Sequence, residues 1–110
     1  MTIGTRHALE HEAVYAKAPR RLLIGGRWTP AQSGETFDTI NPSNGRRLAS
    51  VALAATGDVD LAVAAARKAL SGPWAKFKPF DRQHVMLRLA DLIEKHFDEL
   101  AVLDTLNMGA

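Results

Sequence analysis

The spacing most suggestive of chemistry is His7 and His11, four residues apart, with Glu10 and Glu12 beside them. Two imidazoles one helical turn apart can share a metal ion, but such a pair needs further ligands nearby. The surrounding HALEHEAVYAKAP runs into Pro19, so residues 1–21 are expected to be a mobile extension ahead of the first strand. His84 and His96 fall at helical positions with no nucleophile beside them. Asp98–Glu99 reads as a solvated helix face rather than a carboxylate pair for acid–base work. Arg82 and Arg88, near a helix start, are candidates to clamp phosphate, with pairing to Asp81 or a neighbouring strand the stronger reading. Ser33 and Ser43 lie in turns without a positioned base. Taken residue by residue, the chain shows no active site.

One short stretch needs a decision between a phosphate loop and a plain turn. LLIGGRWTP, residues 22–30, carries adjacent glycines, whereas a dinucleotide fingerprint needs G-x-G-x-x-G between a strand and a helix. Pro30 argues against an early helix, and Gly25–Gly26 fits a two-residue hairpin loop whose central residues both take positive φ. The hairpin is the expected outcome.

These residues must be positioned by the elements of a chain of 110 residues, enough for one domain, with 46% hydrophobic content and a formal charge of +2. Residues 1–50 hold seven Lys/Arg against four Asp/Glu, and residues 51–110 hold seven against eight. That mild bias, with Arg20–Arg21 and Arg46–Arg47 as its only pairs, is not the basic stripe with interleaved aromatics that nucleic acid requires. There is no cysteine, which excludes a disulfide framework, a thiolate metal site and a cysteine nucleophile within these residues. No apolar run approaches the ~18 residues of a membrane span. Residues 1–21 lack the apolar core of a secretory signal, and a cytoplasmic location is expected.

The period of the apolar residues divides the chain. TFDTI (36–40) reads as a strand stopped by Asn41–Pro42, and RRLASVAL returns with Ala49, Val51 and Leu53 on one face. NPSNG between them is a turn, with Asn44–Gly45 tolerant of the left-handed region. Residues 22–53 are therefore expected to form two antiparallel hairpins. At Thr56, read as a helix N-cap, the period becomes helical: Val59, Ala62, Val63, Ala66 and Leu70 recur on one side, with Asp58 and Asp60 in the first turn, over a helix at 57–70. Trp74 and Phe77 are expected as core plugs in the link. Pro79 opens a second helix over 79–95, and the stripe Val85, Met86, Leu89, Leu92, Ile93, Leu100 and Leu103 continues as one helix or two broken near His96–Asp98.

This order of features resembles the N-terminal region of the aldehyde dehydrogenase superfamily. LLIGGRW is similar to its I-G-G-x-W strand, SGETFDTINPSNG to its link and turn, and DVDLAVAAARKAL to its first helix. The stretch from GPW through LADLIEKHFDELAVLDTLNMG follows in matching order, so the resemblance spans residues 22–110. It implies an α/β fold, present here as an α+β portion: N-terminal hairpins followed by two or three helices, the outer part of the cofactor-binding domain. Trp28 would then be a packing residue.

The resemblance also implies an activity: oxidation of an aldehyde to a carboxylic acid with NAD or NADP, through a thiohemiacetal on a cysteine. The family's catalytic and cofactor-binding residues lie beyond Ala110, so the chain reads as an inactive N-terminal fragment of a homodimeric or homotetrameric enzyme. No nucleic acid or membrane is expected as a partner. One site falls inside these residues. Family members bind a structural monovalent cation, K+ or Na+, through main-chain oxygens matching Thr39 and Ile40 and an aspartate whose place is taken by Asn107; Ala110 replaces the usual lysine. An asparagine oxygen can coordinate a hard cation but brings no charge. The alternatives are a stand-alone interaction module using the Val85–Leu103 stripe, and a superfamily member that forms acyl-coenzyme A.

Overall fold

A computed structural model describes residues 21–109. The extension at 1–20, with His7, Glu10, His11 and Glu12, lies outside the described residues, as does Ala110. The order is β1 (Leu22–Ile24), β2 (Arg27–Thr29), β3 (Thr36–Ile40), β4 (Arg47–Ala52), α1 (Thr56–Ala69), α2 (Pro73–Lys76), α3 (Pro79–Lys95) and α4 (Phe97–Met108). The strands form two separate antiparallel ribbons, β1–β2 and β3–β4. Two hairpins followed by helices is the α+β arrangement expected from the change of period.

In the first ribbon Ile24 pairs with Arg27, so Gly25 and Gly26 alone form the loop, at φ of 58° and 78°. Consecutive positive φ values match the right-handed twist of the flanking strands, and glycine takes them without a Cβ penalty. Strand alternation puts Leu22 and Ile24 half-buried on one face and the cross-strand pair Leu23–Trp28 exposed on the other. Trp28, expected as a packing residue, is therefore exposed among the described residues and packs beside Leu23.

The second ribbon carries a bulge. Thr39 pairs with Ala49 and Ile40 with Arg47, leaving Leu48 as an extra residue on β4. A bulge breaks the two-residue alternation locally. Leu48, Ala49 and Ser50 are all buried, and Leu48 is only 1% exposed. Beyond the bulge Ala49 and Val51 keep the expected shared face, opposite Thr39 and Phe37, but Leu53, also expected on it, lies past the strand end and is exposed. The connecting turn closes through its own side chains, with Asn41 Oδ1 accepting Ser43 N–H and Asn44 Oδ1 accepting Arg46 N–H, both at 2.9 Å.

Helix α1 starts one residue earlier than expected: Ala55 is the N-cap and Thr56 the first helical residue. The cap function falls to Asp58, whose Oδ2 accepts the Ala55 N–H at 2.9 Å. Bonds from Leu70, Ser71 and Gly72 N–H to Arg67, Lys68 and Ala69 O tighten the other end. The helix leans on the first ribbon through Ala65, whose Cβ lies 3.8 Å from where a Gly25 Cβ would stand. At about 100° per residue, that contact lies well round the helix from the Val59–Val63–Leu70 stripe. The stripe is left exposed.

The link contains a short helix, α2, that the sequence reading missed; Pro73 occupies its first turn. Helix α3 spans the residues expected of it. It ends at His96, which also starts α4, with backbone at φ −103°, ψ 19°. His96 N–H still donates to Leu92 O, and Leu100 N–H donates to His96 O, both at 3.0 Å, so the break is a bend between two helices. Among the described residues the buried apolar side chains are Ala31, Leu48, Ala49 and Leu106.

Candidate functional site

The residues expected to hold a cation, Thr39, Ile40 and Asn107, come from the end of β3, opposite the bulge of β4, and from the last turn of α4. The bulge falls between Thr39 and Ile40, where the regular ladder is interrupted. Thr39 Oγ1 donates to Ala49 O across the ribbon at 3.3 Å. Asn41, next in sequence, is buried, and its side chain holds the turn. Helix α4 ends on Gly109 at φ +76°, and a Cβ there would stand 2.9 Å from Pro42 Cγ and 3.1 Å from Ser43 N. The end of α4 is thus seated against the turn that follows Ile40. Asn107 lies on that last turn, exposed, with its Nδ2 donating to Leu103 O at 2.8 Å. Among the described residues, no three His, Cys, Asp or Glu side chains are grouped to hold a metal.

The remaining sequence candidates resolve into structural contacts. Arg82 does not pair with Asp81: its guanidinium carbon lies 5.3 Å from the Trp74 ring centroid and Nη2 donates to Trp74 O at 3.2 Å. Trp74 and Phe77 pair with each other at 5.6 Å between centroids but are not core plugs, since Trp74 remains 42% exposed. Asp81 instead accepts the Lys78 N–H at 2.9 Å. The N-termini of α1 and α3 are therefore both closed by carboxylates, Asp58 and Asp81, which disfavour a phosphate there. Ser33 Oγ accepts Glu35 N–H within its turn at 3.1 Å. His84 stacks edge-on against Phe80, and His96 Nδ1 lies 3.4 Å from Glu99.

Two polar contacts escaped the sequence reading. Arg47 Nε bonds Asp38 at 3.1 Å and its Nη2 bonds Ser50 at 2.8 Å, while Ser50 Oγ donates to Asp38. Alternation within each strand hints at the shared face, but the bulge decides which residues meet. The other is Asp58, 3% exposed, whose carboxylate also accepts the Gln32 N–H at 3.1 Å. Its place in the first turn marked it as a dipole partner, but nothing local marks a bond spanning 26 positions.

The comparisons with known proteins fit this geometry. The Aldehyde dehydrogenase family profile matches residues 28–110. The chain belongs to the aldehyde dehydrogenase family. A putative aldehyde dehydrogenase of Bacillus subtilis is 45% identical over 110 residues, covering 99% of this chain and 22% of its own. Among solved structures, an indole-3-acetaldehyde dehydrogenase in apo form superposes with a TM-score of 0.86 at 39% identity, over 99% of this chain and 25% of that one. An NAD+ complex of the Bacillus cereus aldehyde dehydrogenase superposes with a TM-score of 0.80 at 42% identity, over 86% of this chain and 19% of that one. The chain spans only a small part of such relatives: 10% of a cytosolic 10-formyltetrahydrofolate dehydrogenase of Xenopus tropicalis, to which it is 43% identical over 95 residues, and 22% of the Bacillus subtilis protein. No helix among the described residues is long and apolar enough to cross a membrane.

Proposed function

We propose that residues 22–110 form the N-terminal, outer part of the cofactor-binding domain of an NAD(P)-dependent aldehyde dehydrogenase. The observation that carries this reading is the superposition of hairpins and helices, in order, on an indole-3-acetaldehyde dehydrogenase over 99% of the chain. In this reading a cysteine in the remaining polypeptide adds to the aldehyde carbon to give a thiohemiacetal. Loss of hydride and a proton leaves a thioester, and water cleaves the thioester to release the carboxylic acid and the thiol. The nicotinamide cofactor supplies the hydride acceptor, and NAD is the form bound in the Bacillus cereus relative.

The described residues do not themselves fit a dinucleotide. Its adjacent glycines join two strands, with no helix opening behind them to receive a pyrophosphate. The starts of α1 and α3 have the Asp58 and Asp81 carboxylates on the cap N–H. The role left to these residues is to frame the domain and, through Thr39 and Ile40 carbonyls with Asn107, to hold a structural K+ or Na+. The enzyme is a cytoplasmic homodimer or homotetramer in this reading.

The test is an assay of the full-length polypeptide with NAD or NADP and a panel of aliphatic and aromatic aldehydes, following reduced-cofactor absorbance. Aldehyde-dependent turnover that is lost on replacing one downstream cysteine supports the proposal. Acyl-coenzyme A formation that requires coenzyme A, or no turnover with any aldehyde, overturns it.

A further inference from the structure

We draw no further inference here: the strongest candidate, the apolar face of α3 formed by Val85, Met86, Leu89, Leu92 and Ile93, stands exposed with nothing in the structure to show what covers it.

Discussion

Asp58 and Gln32 are joined across 26 positions of sequence: the buried carboxylate accepts the Gln32 backbone N–H at 3.1 Å while also taking the Ala55 N–H at 2.9 Å. One side chain thus fixes the link after the first ribbon to the start of α1. A charged acceptor bonded to two amides is worth more than a neutral one, and removing it strands donors that were paired. Asp58→Ala should therefore cost about 2–3 kcal/mol of stability. Asp58→Asn, which keeps one acceptor oxygen, should cost about 1 kcal/mol. The denaturation midpoint of the full-length protein measures both, and amide exchange at Gln32 should quicken in the alanine variant. Unchanged exchange at Gln32 would remove the carboxylate from this role.

Gly109 and Gly45 separate two costs that glycine replacement usually mixes. Both have positive φ, 76° and 72°. A Cβ on Gly45 meets nothing within 4 Å, whereas one on Gly109 comes within 2.9 Å of Pro42 Cγ and 3.1 Å of Ser43 N. Gly45→Ala should cost about 1 kcal/mol from the left-handed backbone alone. Gly109→Ala adds a clash with a rigid ring and a main-chain atom, and should cost roughly twice that. Equal losses in thermal or chemical denaturation would show that α4 is not seated on the 41–43 turn.

The Arg82–Trp74 contact predicts a coupling that charge alone does not supply. A guanidinium stacks on an aromatic face and still directs N–H groups sideways, as Nη2 does to Trp74 O; an ammonium lacks that plane. A double-mutant cycle of Arg82→Ala with Trp74→Leu should give a coupling energy of about 0.5–1 kcal/mol, the range for a partly exposed cation–π pair. Arg82→Lys should recover less than half of it. A coupling indistinguishable from zero would mean that the stacked geometry contributes nothing to stability.

Apart from the short helix α2, the elements were legible in the sequence because each is specified locally. Gly25–Gly26 can close only a tight loop between Ile24 and Arg27, and Pro79 with Asp81 marks the start of α3 to the residue. What was not legible depends on contacts distant in sequence. The bulge inserts Leu48 opposite the Thr39–Ile40 step, and Leu48, Ala49 and Ser50 are buried in succession on both faces of the ribbon, against the half-buried alternation that the residue types suggest. Trp74 and Phe77 are large and apolar, so composition places them in a core; instead they pair with each other, and Trp74 with Arg82, outside it. For the candidate cation residues, the sequence places Thr39 and Ile40 at a strand end and Asn107 near a helix end. The seating of Gly109 against Pro42 brings those two ends together, a relation that only the fold provides.

The proposed cation site predicts a charge effect at Asn107. Main-chain carbonyls and one amide oxygen are hard ligands but leave the cation's charge unbalanced. In the full-length enzyme, Asn107→Asp should raise affinity for potassium or sodium, seen as a larger Tm increase when either salt replaces an osmotically matched choline salt. The stabilisation scales with the logarithm of ion concentration over Kd, so tighter binding shifts the whole titration to lower salt. If potassium and sodium leave the Tm of both proteins unchanged, Thr39, Ile40 and Asn107 hold no cation.

The 110-residue chain by itself should have no dehydrogenase activity. The reaction needs a nucleophile to hold the aldehyde carbon, and the chain has no cysteine. Serine is a poor substitute without an adjacent base. Ser33 Oγ is engaged by Glu35 N–H in its turn, while His84 and His96 lie against Phe80 and Glu99. Hydride transfer further requires a nicotinamide held within contact distance of that carbon. The hairpin glycines do not form a strand-to-helix seat for its pyrophosphate, and Asp58 and Asp81 close the helix starts they occupy. Two independent requirements are unmet, so raising the cofactor concentration should not rescue turnover. Purified chain, NAD or NADP and the same aldehyde panel provide the assay. Reduced-cofactor formation that survives repurification and disappears on replacing a residue within these 110 positions would place catalytic chemistry in the chain itself.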